Sequence, residues 1–475
     1  MVTAANPYRD QRTQYDPGMG MDELCDALNL GKYIGVLAPS GGEPTISSAI
    51  ISFLQSGTPA SGTVAHKLRQ IISVTDEPFG AVGDGVTDDT AAIQAAIDHQ
   101  TNGGVVFFPP GDYLISTVLT AADPDKLTLL GCGRFSRIHK GANMTMISLG
   151  AESSMHRLYL DGEGGTYTGL GVSISTGAND NVSWRRITEC DIIDTKSYCV
   201  EFTQAIAGFK SVLLNSRFVP TDLATVAIKM PAADETNGNR KIIACDSASN
   251  TLVDLGGSEN THVLGCDGSV PLFDDLTTKA ICTGNRFVGS EFTFDGTDCV
   301  FTSNVLAPTT WTFNATLAGS VFRNNSFATS PTITDNAGGS TSGNEIEYNW
   351  VTYTPTWTAT GTAPAIGDGT INGAYHREGT DMHVNIVFTA GSTTTFGTGA
   401  WSFSLPKAAD RLTVGAARLT DSGTAFYAAV CEIAAAASTV QIYGYNVANA
   451  VTNAIPFTWA SGDRITLDIV YPIDG

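Results

Sequence analysis

The chain has 475 residues, a formal net charge of −21 at pH 7, 50 glycines and only 15% charged residues. This composition is typical of stacked short strands in two to four domains. The acidic balance, uninterrupted by any basic run, disfavours nucleic acid as a partner because it repels phosphate backbones. We therefore expect a glycan or a protein partner.

Residues 1–75 differ in composition and residue pattern from the rest of the chain. Residues 22–30 and 64–72 have the pattern of short helices, with a Gly, Ser and Pro-rich segment between them. The N-terminus lacks a basic-then-apolar signal pattern, and no run of 18 apolar residues is present. We expect folding in a cytoplasm without membrane insertion. An ordered neck and a flexible tail are the alternatives for this segment.

The segment at 79–119, FGAVGDGVTDDTAAIQAAIDHQTNGGVVFFPPGDYLISTVL, predicts a helix followed by two strands. Ile93, Ala96 and Ile97 fall on one face of the helix, which therefore has one apolar side to bury. Residues 105–108 and 113–117 read as strands joined by the turn PPGD. Turn and N-cap chemistry comes from Asp84, Gly85, Thr87, Asp88 and Asp89.

The residues FGAVGDGVTDDTAAIQAAI and GGVVFFPPGDYLIS resemble the first segment of the pectate-lyase-like right-handed β-helix family. The preceding TVAHKLRQIISVTDE, residues 63–77, resembles the lead-in of bacteriophage tailspikes. The resemblance implies an all-β fold, a right-handed parallel β-helix with an N-terminal neck and a C-terminal antiparallel β-sandwich, in a homotrimer. It also implies a tailspike or tail fibre receptor-binding protein, made in the host cytoplasm and carried on the virion tail.

Three domains follow from this resemblance. Residues 1–75 would dock on a virion tail or baseplate protein and form the neck, with Leu68, Ile71 and Ile72 as its apolar seam. Residues 76–347 would form the capped β-helix. Residues 348–475 would form the sandwich, for trimerisation or receptor binding. The glycan partner would be an O-antigen, a capsule or an exopolysaccharide of the bacterial surface.

From about residue 120 to 347 the chain repeats at intervals of about 18 to 30 residues, which indicates a solenoid. Aligning ECDII, NSRF, ACDSA, GCDGS, GNRF, SNVL, NNSF and GNEI predicts one polar column. Stacked short polar side chains bond one another and the backbone, so we expect its members to be structural. They are Asp191, Ser216, Asp246, Asp267, Asn285, Asn304, Asn325 and Asn344.

After residue 343 the strands alternate cleanly. Trp401, Phe403 and Leu405 alternate with serines, and Ile465, Leu467 and Ile469 alternate with polar residues. This pattern predicts a half-buried antiparallel sheet and a small β-sandwich. Residues 353–379 resemble a C-terminal module of phage tail fibres that clamps the trimer.

Glycoside cleavage needs two carboxylates that flank the bond, and neighbouring coils about 4.8 Å apart can supply them. The densest mix of acids, arginines and aromatic residues lies in residues 152–201. We predict the groove there. The candidate catalytic acids are Glu163, Glu189, Asp194 and Glu201, and the candidate substrate-binding residues are Trp184, Arg185, Arg186, Tyr167 and Tyr198.

Each of these residues also has a plainer interpretation as a turn, a strand end or a subunit contact. Neither a cofactor nor a metal is predicted, because Cys and His lack metal-ligand spacing. We interpret the cysteines as buried thiols and the histidines, including His139, as surface or packing residues. Three functions stay open: a glycan-binding adhesin, an adhesin that also cleaves its glycan by hydrolysis or lyase chemistry, and a secreted pectin enzyme.

Overall fold

The structure is a computed structural model, and the residues that it describes belong to one compact unit, Ile71–Gly475. The predictions for the helix at 22–30, most of the segment at 64–72, and Leu68 lie outside the described residues. The description covers residues 71–473 except 101–102, 122–125, 151, 175–183, 204–209, 222–225, 231–238, 249–250, 256–258, 270–278, 290, 308, 329–330, 338–342 and 445–448.

Short strands build the first part of the unit, together with one α-helix, α1 (Thr90–His99), and a 3-10 turn at Gly133–Phe135. The strands of its first coils are β1 (Ile71–Ser73), β2 (Asp84–Asp88), β3 (Gly104–Phe107), β4 (Gly111–Ile115), β5 (Leu119–Ala121), β6 (Leu127–Leu130), β7 (Ser136–Lys140), β8 (Ile147–Leu149), β9 (Ser154–His156), β10 (Tyr159–Asp161), β11 (Val172–Ile174), β12 (Trp184–Thr188), β13 (Asp191–Thr195), β14 (Val200–Phe202), β15 (Lys210–Leu214) and β16 (Arg217–Pro220).

The later coils continue with strands of similar length. They are β17 (Val226–Lys229), β18 (Asn239–Ile243), β19 (Asp246–Ser247), β20 (Thr251–Asp254), β21 (Thr261–Leu264), β22 (Asp267–Ser269), β23 (Ile281–Thr283), β24 (Arg286–Val288), β25 (Glu291–Phe294), β26 (Val300–Thr302), β27 (Val305–Ala307), β28 (Thr310–Phe313), β29 (Val321–Arg323), β30 (Ser326–Phe327) and β31 (Thr332–Asp335).

The C-terminal part has longer strands. They are β32 (Glu345–Tyr353), β33 (Trp357–Ala359), β34 (Thr370–Gly379), β35 (Asp381–Thr389), β36 (Trp401–Ser404), β37 (Thr413–Asp421), β38 (Ala425–Ile433), β39 (Thr439–Gly444) and β40 (Arg464–Pro472).

Parallel pairing between successive coils makes a β-solenoid with three faces. The first sheet contains β1, β3, β6, β9, β12, β15, β18, β21, β23, β26 and β29; the second has 11 strands, from β2 and β4 to β27 and β30; the third runs from β5 to β20. A short sheet of β25, β28 and β31 follows on the last coils. The predicted all-β class and parallel solenoid are thus confirmed, while the homotrimer stays a prediction.

The capping segment forms as the sequence predicts. Ile93, Ala96 and Ile97 of α1 are buried against the first coils. Asp88 accepts a hydrogen bond from the Thr90 amide at 3.0 Å, whereas Asp89 accepts from the Val82 and Gly83 amides. The two aspartates therefore fix both the start of the helix and the loop before it.

The N-terminal boundary of the solenoid differs from the predicted neck. Ile71 and Ile72 lie in β1 and pair with Val105 and Val106 of β3. These two residues therefore belong to the first sheet and not to a helical seam. The parallel neighbour strand supplies the hydrogen bonds that make an extended conformation favourable there.

The polar column is partly wrong. Asp191, Asp246 and Asp267 pair with Arg217 and Arg286 in the second sheet and face solvent. In these three coils, the side chain stacked in the interior belongs to the residue that precedes the aspartate. Because side chains alternate in and out, a misalignment by one residue moves a side chain to the opposite face. The inner column is Cys190, Ser216, Cys245, Cys266, Asn285, Asn304 and the half-buried Asn325.

Asn344 belongs to a different column. Its side-chain oxygen accepts a hydrogen bond from the Ser320 amide at 3.0 Å, and the Ser320 hydroxyl accepts one from the Cys299 amide at 3.0 Å. Seven of the eight described cysteines are buried, which agrees with their interpretation as packing thiols. No helix among the described residues is long and apolar enough to cross a membrane.

The C-terminal strands continue the first sheet of the solenoid. β32 pairs in parallel with β29 and antiparallel with β34, and the antiparallel pairing then runs through β35, β40, β37, β38, β39, β36 and β33. The predicted alternation is confirmed, because Trp401, Phe403, Leu405, Ile465, Leu467 and Ile469 are all buried.

A buried ionic network lies where the solenoid meets the C-terminal strands. Arg377 of β34 donates to both carboxylate oxygens of Asp335 at 3.1 and 2.9 Å, and the Arg377 side chain is 0% exposed. The ammonium group of Lys407 lies 3.4 Å from the same carboxylate, and the Tyr348 hydroxyl donates to it at 3.2 Å. One carboxylate therefore ties three chain segments to the end of the solenoid.

Candidate functional site

Five polar side chains meet on the outer face of the second sheet, in its first coils. Arg137 of β7 lies at the centre: it donates to Asp112 at 2.9 Å, to Asp161 at 3.0 Å and to Glu163 at 2.6 Å. His139 of β7 lies beside it. We call these five residues, Asp112, Arg137, His139, Asp161 and Glu163, the acid cluster.

Strand register builds the acid cluster. Asp112 of β4 pairs with Arg137, and His139 pairs with both Leu114 and Asp161. Residues two apart on one strand share a face, so three neighbouring coils deliver their polar side chains to one patch. Glu163 follows β10 with φ +47° and turns back over the patch.

The acid cluster is net negative, because three carboxylates surround the single guanidinium of Arg137. Burial opposes the charge of Arg137, but its hydrogen bond to Asp161 and the charge of Asp112 outweigh burial and raise the pKa of the guanidinium. The side chains of Arg137 and Glu163 remain about one third exposed, at 29% and 34%. The patch is therefore open to a ligand and not sealed in the core.

His139 completes the acid cluster and is largely buried. Its two ring nitrogens lie 3.5 Å from Glu163 and 3.5 Å from Asp112. At that distance the ring forms no hydrogen bond to either carboxylate, and within the described residues Nε2 has no acceptor or donor. The imidazole therefore lies between two carboxylates of the acid cluster.

A glycine-rich turn after β10 covers one edge of the acid cluster. A Cβ atom on Gly164 would lie 1.6 Å from the Thr221 hydroxyl, and one on Gly162 would lie 2.5 Å from the Asp194 carbonyl. These positions therefore require glycine, since any side chain would collide with the next coil. The buried Lys140 holds the same turn through the Thr168 carbonyl at 3.3 Å, and burial lowers the pKa of this lysine to about 8.

Some predicted site residues lie beside the acid cluster. Glu163 is a member, and Tyr167 lies in the glycine-rich turn, where its amide donates to the Glu163 carbonyl at 2.8 Å. Asp194 lies on the next coil and accepts a hydrogen bond from Thr221 at 2.8 Å. Tyr198 is half-buried on the segment that leads to the third sheet.

The other predicted residues lie on different faces. Glu201 is on the third sheet opposite Lys229, where burial is the main cause of its raised pKa and the lysine charge opposes it. Trp184 and Arg186 face outward on the first sheet. Arg185 is 0% exposed in the coil interior, so the prediction that it binds substrate is corrected. Its neighbours alternate outward, which forces it inward.

Trp184 is already covered in part. The guanidinium of Arg186 lies 5.3 Å from its ring centroid and the ammonium of Lys210 lies 5.4 Å from it, so two cations compete with a sugar for the ring. Glu189 lies at the turn between the first and second sheets, on a separate open cavity of about 350 Å³. Residues 152–201 span about two coils, so they project from all three faces instead of lining one groove.

Sequence reasoning missed Asp112, Arg137 and His139. The signal was present, because aligning PPGDYLI with FSRIHK and RLYLDGE places Asp112 beside Arg137, and His139 beside Asp161. These strands lie next to the capping segment, on coils that precede the first member of the polar column, Asp191. Within the described residues, no group of three or more His, Cys, Asp or Glu side chains is arranged to hold a metal ion.

Comparison with known families agrees with this architecture. Residues 71–329, more than half of the chain, match the family described as rhamnogalacturonase A/epimerase, pectate lyase-like. The chain belongs to this family. The match spans the capping segment, the acid cluster and most of the solenoid, so the predicted pectate-lyase-like resemblance is confirmed.

Curated relatives match over short segments. Mannuronan C5-epimerase AlgE6 of Azotobacter vinelandii is 48% identical over 62 residues, which is 12% of this chain and 7% of the relative. The probable rhamnogalacturonase A of Aspergillus niger is 29% identical over 117 residues, 24% of this chain and 26% of the relative. The chain thus spans only a small part of the curated relatives that it matches.

Solved structures with a similar fold include phage tailspikes. The Dettilon tailspike protein gp208 is 14% identical, with a TM-score of 0.45, and the alignment covers 90% of this chain and 98% of that one.

Proposed function

We propose that this protein is a phage tailspike that binds an extended polysaccharide of the bacterial surface across the outer face of its second sheet. The acid cluster carries this proposal, because a partly exposed Arg137 lies within a row of hydrogen-bonding groups on successive coils. Outward side chains of successive coils are about 4.8 Å apart, so they follow an extended polymer along its length. The names of the relatives, which concern mannuronan and rhamnogalacturonan, support a polysaccharide ligand.

A second function, modification of the bound glycan, is favoured by the carboxylates of the acid cluster. Asp161 Oδ2 and Glu163 Oε1 both contact the same Arg137 nitrogen, at 3.0 and 2.6 Å. Their separation cannot exceed the sum of these two contacts, so both carboxylates can reach one glycosidic bond. In this proposal a carboxylate attacks the sugar or takes its proton, and His139 protonates the leaving oxygen.

Glycan modification is tested with purified bacterial capsular and O-antigen polysaccharides, alginate and rhamnogalacturonan. Binding is measured by interferometry, and product formation is measured by new reducing ends, unsaturated uronates and altered sugar stereochemistry. Glu163→Gln and Asp161→Asn are expected to lower any turnover by at least about a hundredfold, because each removes a reacting carboxylate. Glu291→Gln, which changes an exposed acid on a later coil, is the control.

The measurements separate the alternatives. Binding without products, weakened by Arg137→Ala, would identify a non-enzymatic adhesin and reject glycan modification. Products that persist in both amide variants would move the chemistry to the cavity at Glu189 or to Glu201. Binding that is unchanged in Arg137→Ala would reject the acid cluster as the glycan site.

The homotrimer belongs to the same proposal, and the C-terminal strands support it. Four apolar side chains of these strands are about half exposed or more: Val414, Phe426, Val430 and Val470. Exposed apolar patches of this kind commonly mark protein–protein interfaces. We expect light scattering to report about three times the chain mass of 49.8 kDa. Val430→Asp should shift the mass towards the monomer, whereas a monomeric parent protein would contradict the proposal. The proposed function also includes docking of residues 1–75 on a virion tail protein, which would place the protein on the phage tail.

A further inference from the structure

We infer that the protein has a second carbohydrate site, an aromatic cleft beside Trp350 that binds an uncharged sugar residue. This site lies at the junction of the last coil with β32 and does not depend on the proposed role of the acid cluster. Trp350 is 49% exposed, which is unusual for the largest apolar side chain. Its indole ring offers a flat apolar face of the kind that packs against the C–H face of a pyranose.

The cleft has the size of a ligand site. Its volume is about 870 Å³, and small-molecule pockets usually have volumes of about 300–1,000 Å³. Strand β32 forms one wall, and the last coils form the other. The aromatic side chains that line it are Trp311, Phe327, Tyr348, Tyr353 and Tyr375, and Trp350 borders it from the face of the sheet that carries His376.

A β-bulge presents Trp350. Tyr348 pairs with Arg377 and Val351 pairs with Tyr375, so Asn349 and Trp350 together face the single residue His376. Such a bulge bends its strand and redirects a side chain, and bulges are common next to functional sites. The regular alternation of β32 is thus interrupted at the exposed tryptophan.

Two histidines support the ring of Trp350. The ring centroids of His376 and His383 lie 4.5 and 4.9 Å from the indole centroid. A hydrogen bond of 3.1 Å joins Nε2 of His376 and Nδ1 of His383, and His383 Nε2 lies 2.9 Å from the Asp468 carboxylate. This chain of contacts holds the tryptophan in place, so little conformational entropy is lost when a sugar packs on it.

The polar groups of the cleft suit an uncharged ligand. None of the described residues that line it carries a carboxylate, a guanidinium or an ammonium group. The exposed Asn349 and Thr352 supply hydrogen-bonding groups at the rim for sugar hydroxyls.

The test uses the full chain on a printed array of bacterial capsular and O-antigen oligosaccharides, followed by calorimetry with the uncharged oligosaccharide of strongest signal. We expect Trp350→Ala to weaken its affinity by at least about tenfold, and Trp350→Phe to weaken it less because a ring remains. Phe135→Ala, which changes an exposed aromatic residue that does not line the cleft, should have no effect.

Each outcome decides the proposal. Array binding that is lost in Trp350→Ala but retained in Arg137→Ala supports a second site and separates it from the acid cluster. No binding of uncharged oligosaccharides by the parent protein, or equal affinity in the parent and in Trp350→Ala, overturns the proposal. A Trp350→Ala protein with unchanged affinity but reduced oligomer mass would show that a second copy of the chain fills the cleft, which also overturns it.

Discussion

Replacing Asp335 by Ala is expected to lower the free energy of unfolding by about 3–5 kcal/mol, because the change removes a carboxylate that pairs with a buried guanidinium. The Arg377 side chain is 0% exposed and Asp335 is 5% exposed, so water cannot replace the lost carboxylate. Lys407 and Tyr348 lose the same acceptor. Urea unfolding followed by tryptophan fluorescence measures the loss.

Two variants make the Asp335 test specific. Asp335→Asn keeps the shape of the side chain and removes its charge. It should still cause most of the loss in the free energy of unfolding that Asp335→Ala causes. Asp381→Ala removes an exposed carboxylate at the start of β35 and should change stability by less than about 0.5 kcal/mol. Equal effects of Asp335→Ala and Asp381→Ala would show that the buried network contributes nothing to stability.

Replacing Asn304 by Ala should lower the free energy of unfolding by about 2–4 kcal/mol. The Asn304 side chain accepts from the amide and side chain of Asn285, at 3.0 and 2.9 Å, and donates to the Cys282 carbonyl and to Asn325, both at 3.1 Å. Alanine removes the partners of two backbone groups in the preceding coil, the Asn285 amide and the Cys282 carbonyl. Thermal unfolding monitored by circular dichroism measures the change.

Asn336→Ala is the matched control for the buried asparagine, since Asn336 is exposed at the end of β31. Asn304→Asp is informative as well, because it retains the acceptor oxygens but loses the amide donors to Cys282 and Asn325. We expect its cost to equal or exceed that of alanine. If both Asn304 variants melt within about one degree of the parent protein, the asparagine column does not stabilise the solenoid.

Much of the fold follows from local sequence patterns. The helix with Ile93, Ala96 and Ile97 on one face forms as predicted, since amphipathic spacing and turn residues act within a few positions. The alternation around Trp401 and Ile465 likewise predicts which side chains are buried. Periodicity in the central region indicates a solenoid, because each coil must bury its faces against its neighbours.

The inner column shows the limit of pattern reading. Asp191 and Cys190 are adjacent, and an alignment by motif letters places either one in register with Ser216. The pairing between coils places Cys190 in the interior, where its amide donates a hydrogen bond to the Ser216 hydroxyl. Asp191 then lies on the outer face beside Arg217. A choice between neighbours that differ by one residue depends on contacts between coils, and these join residues about 25 positions apart.

The sequence of this chain is sufficient to predict the class of fold, its capping helix and the faces of its C-terminal strands, because short-range periodicity specifies each of them. It identifies Glu163 as a candidate but not the neighbours that make it a site. Asp112, Arg137 and His139 meet Glu163 only when three coils stack in register, and the same stacking turns Arg185 inward and moves Glu201 to another face. A solenoid assembles its surface from residues one coil apart, so the identity of a site depends on register, which is set by packing between coils and not by any single segment.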